Sequence, residues 1–425
     1  MKLTEWKKTR LKYLVNLNPK KEEARRIPLD TEVTFIPMEK IIRTGLLDCS
    51  LTNTIENLIN GYTYFRDEDI IIAKVTPCFE NGNVAIAKGL KNGMGFGTTE
   101  LHVLRCGKYT NNKFIFYFLQ SNLFKSKAVS EMYGVAGLKR IPAEFFLNYK
   151  INFPDINEQI EICNFLDQRT SEIDSLIADK EKLIELLQEK RQAIISEAVT
   201  KGLDKNVKMK DSGIEWIGEV PEEWEVKKLK FICSLISKGT TPSTIGQEIT
   251  FTGEIRFIKA ENIKDNEIAV EPEFYINRET NIIIKRSQLE ENDILFVIAG
   301  ATIGKTAILQ KNFLPANTNQ AISFIRLNSL GNSRFVWYWL QTDIIDKIIS
   351  SLSVQSAQPN LSMEDLGNFP LLYPSLNEQE KIVEFLDAIL TKIGCLILDI
   401  SKQINKLKDY RQSVISEAVT GKIMV

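Results

Sequence analysis

The chain has 425 residues, 44% of them hydrophobic and 26% charged, and a formal net charge of −1. That length is too great for one ordinary core and predicts two or more domains. No apolar run reaches the roughly 18 residues of a membrane span, and the near-neutral total argues against a uniformly basic nucleic-acid coat.

The opening stretch, "MKLTEWKKTRLKYLV", has no unbroken apolar core and no small-residue cleavage site, so a cytoplasmic protein is expected. The six cysteines (Cys49, Cys78, Cys106, Cys163, Cys233 and Cys395) lack the close spacing of zinc ligands and read as reduced thiols. The single histidine, His102, excludes an HExxH site; its alternating run "TTELHVLR" makes it a structural residue of a strand. Residues 1–156 carry about +7 of charge and residues 157–204 about −5, so only the first block has the bias expected of phosphate contact.

In chain order, "DEDIIIAKVTP", "GNVAIA" and "TTELHVLR" read as short strands, and "KFIFYFLQSNLFKSKA" has apolar residues at helical spacing. A long helix is predicted from Asn157 to Thr200. Neither proline nor glycine interrupts it, and apolar columns recur at 3–4 spacing (Leu166, Ile173, Leu187, Ile194; Ile177, Ile184). The segment "DSGIEWIGEVPEEWEVKKLKFI" then opens a second half, in which Trp224 corresponds to Trp6. "ENDILFVIAGATIGKTAIL", "TNQAISFIR" and "RFVWYWLQTDIIDKII" follow in the same order as the elements of the first half.

The chain ends on a second long helix. With an offset of 220, "NEQIEICNFLDQ" falls on "NEQEKIVEFLDA" and the register holds without a gap to the paired ends "RQAIISEAVT" and "RQSVISEAVT". Half of those positions are identical, which marks an internal duplication. Each helix follows a proline ("FPDI", "YPSL"), and polar caps are expected at Asn157 and Asn377. About 44 residues make a rod of roughly 65 Å. The rods are expected to pair as a coiled coil, with Arg191 and Arg411 as a charged layer in the seam. Gly202 and Gly421 should end them. The repeated "ISEAVT" ends are expected to concern assembly, offering one partner surface twice.

Each half is therefore read as α+β. The domains are residues 1–156, a first rod at 157–203, residues 204–376, and a second rod at 377–425. "GATIGKT" (Gly300–Thr306) resembles a phosphate loop, but it is one residue short of G-x-x-x-x-G-K-[ST] and runs on as a strand; a tight turn is the better reading. No methyltransferase or dinucleotide motif occurs, so a non-enzymatic chain is expected, with no metal site.

The "DSGIEWIGEVPEEWEVKKLK" lead-in, the paired "LNEQ…FLD" starts and the paired "RQxxISEAVT" ends resemble the specificity (S) subunits of type I restriction–modification systems. The resemblance covers nearly the whole chain. Its one departure is the first half, where only "TEW" of the lead-in is found. It implies two target recognition domains, each reading part of a split, asymmetric sequence in double-stranded DNA. It further implies antiparallel rods that space them and dock two methyltransferase (M) subunits, with restriction (R) subunits added. S-adenosylmethionine, ATP and Mg would belong to those partners, and this chain would hold no cofactor. Base-reading candidates are the polar side chains of glycine-containing loops: Lys74, Lys139 and Arg140 in the first half, and Lys238, Thr240, Thr241, Gln355, Gln358 and Asn360 in the second. Arginine and lysine suit guanine, and glutamine and asparagine suit adenine. "GVAGLKR" and "SAQPNLS" are expected to occupy equivalent places. Two other readings remain open: a coiled-coil scaffold without DNA readout, and an NTP-dependent enzyme built on "GATIGKT".

Overall fold

The computed structural model describes residues 6–42, 45–134, 137–353 and 360–423. The chain divides into two compact units, residues 1–182 with 400–425, and residues 183–399. Both mix helix and sheet, as an α+β reading requires. Among the described residues no helix is long and apolar enough to cross a membrane.

In the first unit an antiparallel sheet has the spatial order Val15–Leu17, Leu101–Cys106, Ile70–Ala73, Val84–Ile86. A mixed sheet has the order Thr52–Thr54, Glu32–Ile36, Met94–Gly97, Thr63–Arg66, with its two middle strands parallel. The strand Ile70–Ala73 is buried at all four positions because both of its faces are covered. Ile70 and Ile72 pack with Phe114 and Phe118 of the helix Asn112–Gln120, while Ile71 packs with Phe65 of the mixed sheet. Each such side chain, taken wholly out of water, contributes about 1.5–3 kcal/mol.

The second unit repeats this order. Its antiparallel sheet runs Cys233–Lys238, Ile322–Leu327, Ile294–Val297, Thr306–Ile308. Its mixed sheet runs Tyr275–Ile276, Ile255–Ile258, Ala316–Thr318, Gln288–Leu289. Ile294 and Phe296 face Phe335 and Trp339 of the helix Ser333–Trp339, and Leu295 and Val297 face the opposite layer.

The rods are the helices Ile156–Lys201 and Leu376–Ala418. Their caps lie upstream of the expected Asn157 and Asn377. Asp155 Oδ1 accepts from the backbone N–H groups of Asn157 (2.9 Å) and Glu158 (3.0 Å), and Ser375 Oγ accepts from Glu378 at 3.3 Å. Asp155 and Ser375 win because each directly follows the proline, where the extended backbone aims a short oxygen-bearing side chain at the first orphan donors. Gln159 and Gln379 then reach back to the carbonyls of Pro154 and Pro374, at 3.0 Å each.

Within the first unit the start of the first rod and the end of the second run antiparallel. Asp174 accepts from Arg411 at 2.8 and 3.1 Å, Lys180 donates to Gln403 at 2.7 Å, and Lys408 pairs with Glu181. Ile173, Ile177, Ile400 and Ile404 are buried, as the apolar columns predict. Ile162 and Leu166 of the first rod and Val414, Ile415, Ala418 and Val419 of the second join one core with Leu11 and Phe114. In the second unit Leu386, Leu390 and Ile393 share a core with Ile195, Ala198 and Val199.

The repeated ends are thereby explained, and one expectation is corrected. Their apolar letters are not offered to a partner; they are buried inside the units, because each end fills the groove beside an aromatic helix. Gln412 Nε2 donates to the Gln120 carbonyl and Ser416 Oγ accepts from the Asn122 N–H; in the second unit Gln192 Nε2 donates to the Gln341 carbonyl. Gly202 and Gly421 follow the ends at φ +75° and +70°, and a Cβ on either would lie 3.3 Å from the ring of Trp224 or Trp6. The same indoles donate to Glu378 (3.1 Å) and Glu158 (2.8 Å) at the rod starts. Each tryptophan thus holds the start of one rod and the end of the other.

Candidate nucleic-acid interface

In the first unit the candidate residues gather at one end of the antiparallel sheet. Lys74 prolongs the strand Ile70–Ala73: its N–H donates to the Glu100 carbonyl and its own carbonyl accepts from Ile141, both at 2.9 Å. Val75 bridges Arg140. Thr76 Oγ1 donates to the Gly137 carbonyl (2.7 Å) and accepts from the Lys139 N–H (3.0 Å). "AKVTP" and "GVAGLKR", far apart in the chain, are therefore one structure. Lys139 is held by its backbone and leaves its side chain exposed. Arg140 spends its fork on Glu100, at 2.8 and 2.9 Å. That pair holds the Glu100 carboxyl below the usual range and raises the guanidinium.

Lys74 lines an open cleft with Asn18, Pro19, Lys21, Tyr62 and Thr99. His102 lies beneath it, buried, with Nε2 3.1 Å from the Ile141 carbonyl and Nδ1 3.2 Å from Asn18 Nδ2. Those partners assign the proton to Nε2, and burial pushes the imidazole pKa down. His102 is a structural pin between two loops, as its strand position predicted.

In the second unit Ile298 stands where Lys74 stands in the first. Its N–H donates to Ala321 and its carbonyl accepts from Leu361, both at 2.9 Å, and Ala299 bridges Asn360. The places of "GVAGLKR" and the end of "SAQPNLS" are thus equivalent. Lys238 closes the edge strand, Gly239 donates to Ile322 at 3.1 Å, and Thr240 donates to Thr318 at 3.1 Å. A Cβ at Gly239 would come within 2.2 Å of the Thr318 and Asn319 carbonyl oxygens, so only glycine passes here. The Thr241 carbonyl accepts from Thr244 and starts a short helical turn. The fold brings Lys238, Thr240, Thr241 and Asn360 to one end of one sheet. Gln355 and Gln358 lie outside the described residues.

Two groups at this end escaped the sequence reading. Asn18, Lys20 and Lys21 follow the edge strand of the first unit; the signal was the twin lysine of "NPKK". Lys21 Nζ donates to the Ile59 carbonyl at 2.7 Å, and its pKa is lowered by burial and by Arg25. The segments Thr98–Thr99 and Asn319–Gln320 cross between the sheets and had been absorbed into strands.

"GATIGKT" is a turn between the strands Ile294–Val297 and Thr306–Ile308, with Gly300 and Gly304 at φ +91° and +89°. Gly304 N–H donates to Val297 and Lys305 N–H to Thr302. A phosphate loop aims free N–H groups from a helix start; here these donors are spent inside the turn and no helix follows.

Residues 4–186 and 221–406 each match the model of the type I restriction modification DNA specificity domain. The chain belongs to that family. Both matched segments of the specificity fold begin in a globular half and run into a rod, so the family unit is the repeated unit. The chain is 41% identical over 175 residues to the EcoAI specificity subunit of Escherichia coli, covering 40% of this chain and 29% of that one. It therefore spans under a third of that relative. It is 25% identical over 415 residues to the StySPI specificity subunit of Salmonella potsdam, covering 95% and 85%. A solved chain described under complex assembly and conformational transition of the type I R-M system aligns at TM-score 0.78 and 16% identity, covering 99% and 98%. That likeness shows a shared fold over nearly the whole of both chains.

Proposed function

We propose that this chain is the sequence-reading subunit of a type I restriction–modification assembly, and that each unit reads one half of a split target in double-stranded DNA. One observation carries the reading. Two units with the same sheet order end in different polar side chains at the same place: Lys74, Lys139 and Asn18 in one, Lys238, Thr240 and Asn360 in the other. A duplicated scaffold that keeps its core and changes one rim is suited to two different half-sites. Lysines at the rim position the phosphates, and amides and hydroxyls report on base edges.

In this reading the chain binds and measures, and partner subunits catalyse. Two M subunits would bring S-adenosylmethionine, and R subunits would bring ATP and Mg. Exposed apolar side chains on the rods, Leu176 and Tyr410 in the first unit and Leu186 and Leu398 in the second, suit the docking of M. Cytoplasmic location follows from work on cellular DNA.

The test is an exchange of residues 1–156 for the same region of a relative, followed by methylation mapping in cells that carry the methyltransferase. One half of the target should change and the other persist. A change in both halves, or in neither, would defeat the two-reader model. A scaffold without DNA readout predicts no sequence-dependent methylation at all.

A further inference from the structure

We infer that the segment crossing from the mixed to the antiparallel sheet, Thr98–Thr99 in the first unit and Asn319–Gln320 in the second, reads base edges. The inference rests on the DNA-reading function proposed above and names the residues that would carry it.

Strand register makes the two segments equivalent. Gly97 pairs with Ile36 and Thr318 with Ile258 at the end of the parallel pair. Four residues later Leu101 pairs with Ala73 and Ile322 with Val297 in the antiparallel sheet. Thr98 therefore matches Asn319, and Thr99 matches Gln320. At the first position each unit carries a buried side-chain oxygen without a hydrogen-bond partner, Thr98 Oγ1 and Asn319 Oδ1. A polar atom left so costs free energy, and folded proteins rarely tolerate it. Both oxygens are closed to solvent, so the side chains that a base edge can meet at this crossing are those of the next residue.

The next residue is exposed in both units, Thr99 and Gln320. Cations and loop backbones frame each segment. Thr99 shares its cleft with Lys74 and Lys21. Gly239 and Thr240, next to Lys238, close over Thr318 and Asn319. The letters also differ where reading would require it, "GTTE" against "TNQA", between strands that stay apolar in both units. The carboxamide of Gln320 offers a donor and an acceptor together, the pattern that matches adenine N6 and N7; a threonine hydroxyl serves either role.

The experiment places Gln320→Ala and Thr99→Ala separately in the full chain together with its methyltransferase. Methylation is mapped, and binding is measured on duplexes carrying the mapped target and each single base-pair change in it. Gln320→Ala should lose discrimination by roughly 5- to 150-fold at one position, or two adjacent ones, of a single half-site. Thr99→Ala should do the same in the other half-site. If Gln320→Ala disturbs folding, Gln320→Glu keeps the shape without the donor, and preference at that position should move from adenine toward cytosine. Unchanged discrimination at every position, or an equal loss on all duplexes, would overturn the inference. If the exchange of residues 1–156 still alters one half-site in that case, only the assignment to the crossing segment falls. If the exchange is also silent, the DNA-reading function falls with it.

Discussion

After the central strand of its antiparallel sheet the first unit has Lys74 and the second has Ile298, with the same two backbone hydrogen bonds on either side. Further along the same row, buried His102 in the first unit corresponds to buried Ser323 in the second, whose Oγ donates to the Ser237 carbonyl. By contrast the tryptophans, the Gln159 and Gln379 bonds and the docked Gln192 and Gln412 recur almost atom for atom. Backbone pairing and rod docking are held constant; side chains at the open end of the sheet vary. Such a split is expected when assembly needs one geometry twice and recognition needs two chemistries.

Four predictions test that comparison. The tryptophan clamps should matter most and unequally, since Trp224 is 1% exposed and Trp6 is half-buried. Trp224→Ala should cost the second unit about 3–5 kcal/mol and Trp6→Ala should cost the first unit less, read by denaturant unfolding. Equal losses would mean that the two clamps are closer in burial than they look.

Next comes Ile415→Ala, which empties a fully buried site in the first unit. A loss of about 2–5 kcal/mol is expected. Hydrogen exchange should rise in residues 112–130, nearly three hundred positions away in sequence, while residues 294–340 keep their protection. Faster exchange in both regions would show that the units do not unfold separately.

The third prediction concerns the charged layer. Arg411 is paired with Asp174, but the residue 220 positions after Asp174 is Gly394, so Arg191 lacks the matching carboxylate. Gly394→Asp should stabilise the second unit by about 0.5–1 kcal/mol, by removing a mid-helix glycine and supplying that partner. A destabilised variant would show that the two seams do not share this geometry.

The last prediction uses pH. Burial lowers the His102 pKa below its ordinary 6.5, so unfolding takes up a proton in the interval between the lowered value and 6.5. The share of the first unit's stability that depends on a neutral His102 is complete above that interval and is lost as pH falls through it. Acidification from about pH 7 to 5 should open the first unit before the second, and His102→Ser should remove this difference. A His102→Ser protein that keeps the same pH response would place the titration elsewhere.

Much of this fold was legible in the letters. The offset of 220 marked the duplication, and the apolar columns marked rods whose predicted positions, such as Ile173, Ile177, Ile393 and Ile400, are buried. The equivalent places of Arg140 and Asn360 ahead of the rods were also legible, because order along the chain implied them. The caps were missed by two residues: Asn157 and Asn377 lie in the more conspicuous "NEQ" repeat, whereas Asp155 and Ser375 differ between the copies. Nothing local reveals that Glu100 pairs with the Arg140 guanidinium. Thr98 and Asn319 were hidden inside strand-like runs, since an unsatisfied oxygen is a property of surroundings and not of a pattern.

The letters alone show that the chain is built twice, that each copy is a mixed α+β half with a rod, and that the halves diverge in their middles. Periodicity and repetition are one-dimensional properties, so one dimension suffices to read them. Which core each repeated end enters is visible only in the folded chain. The two ends share "ISEAVT", and their choice of groove depends on the antiparallel course of the rods. The folded chain also sets which polar residues share the open end of a sheet, because strand pairing brings Lys74 to Arg140 and Ile298 to Leu361 across stretches of chain that no local pattern connects.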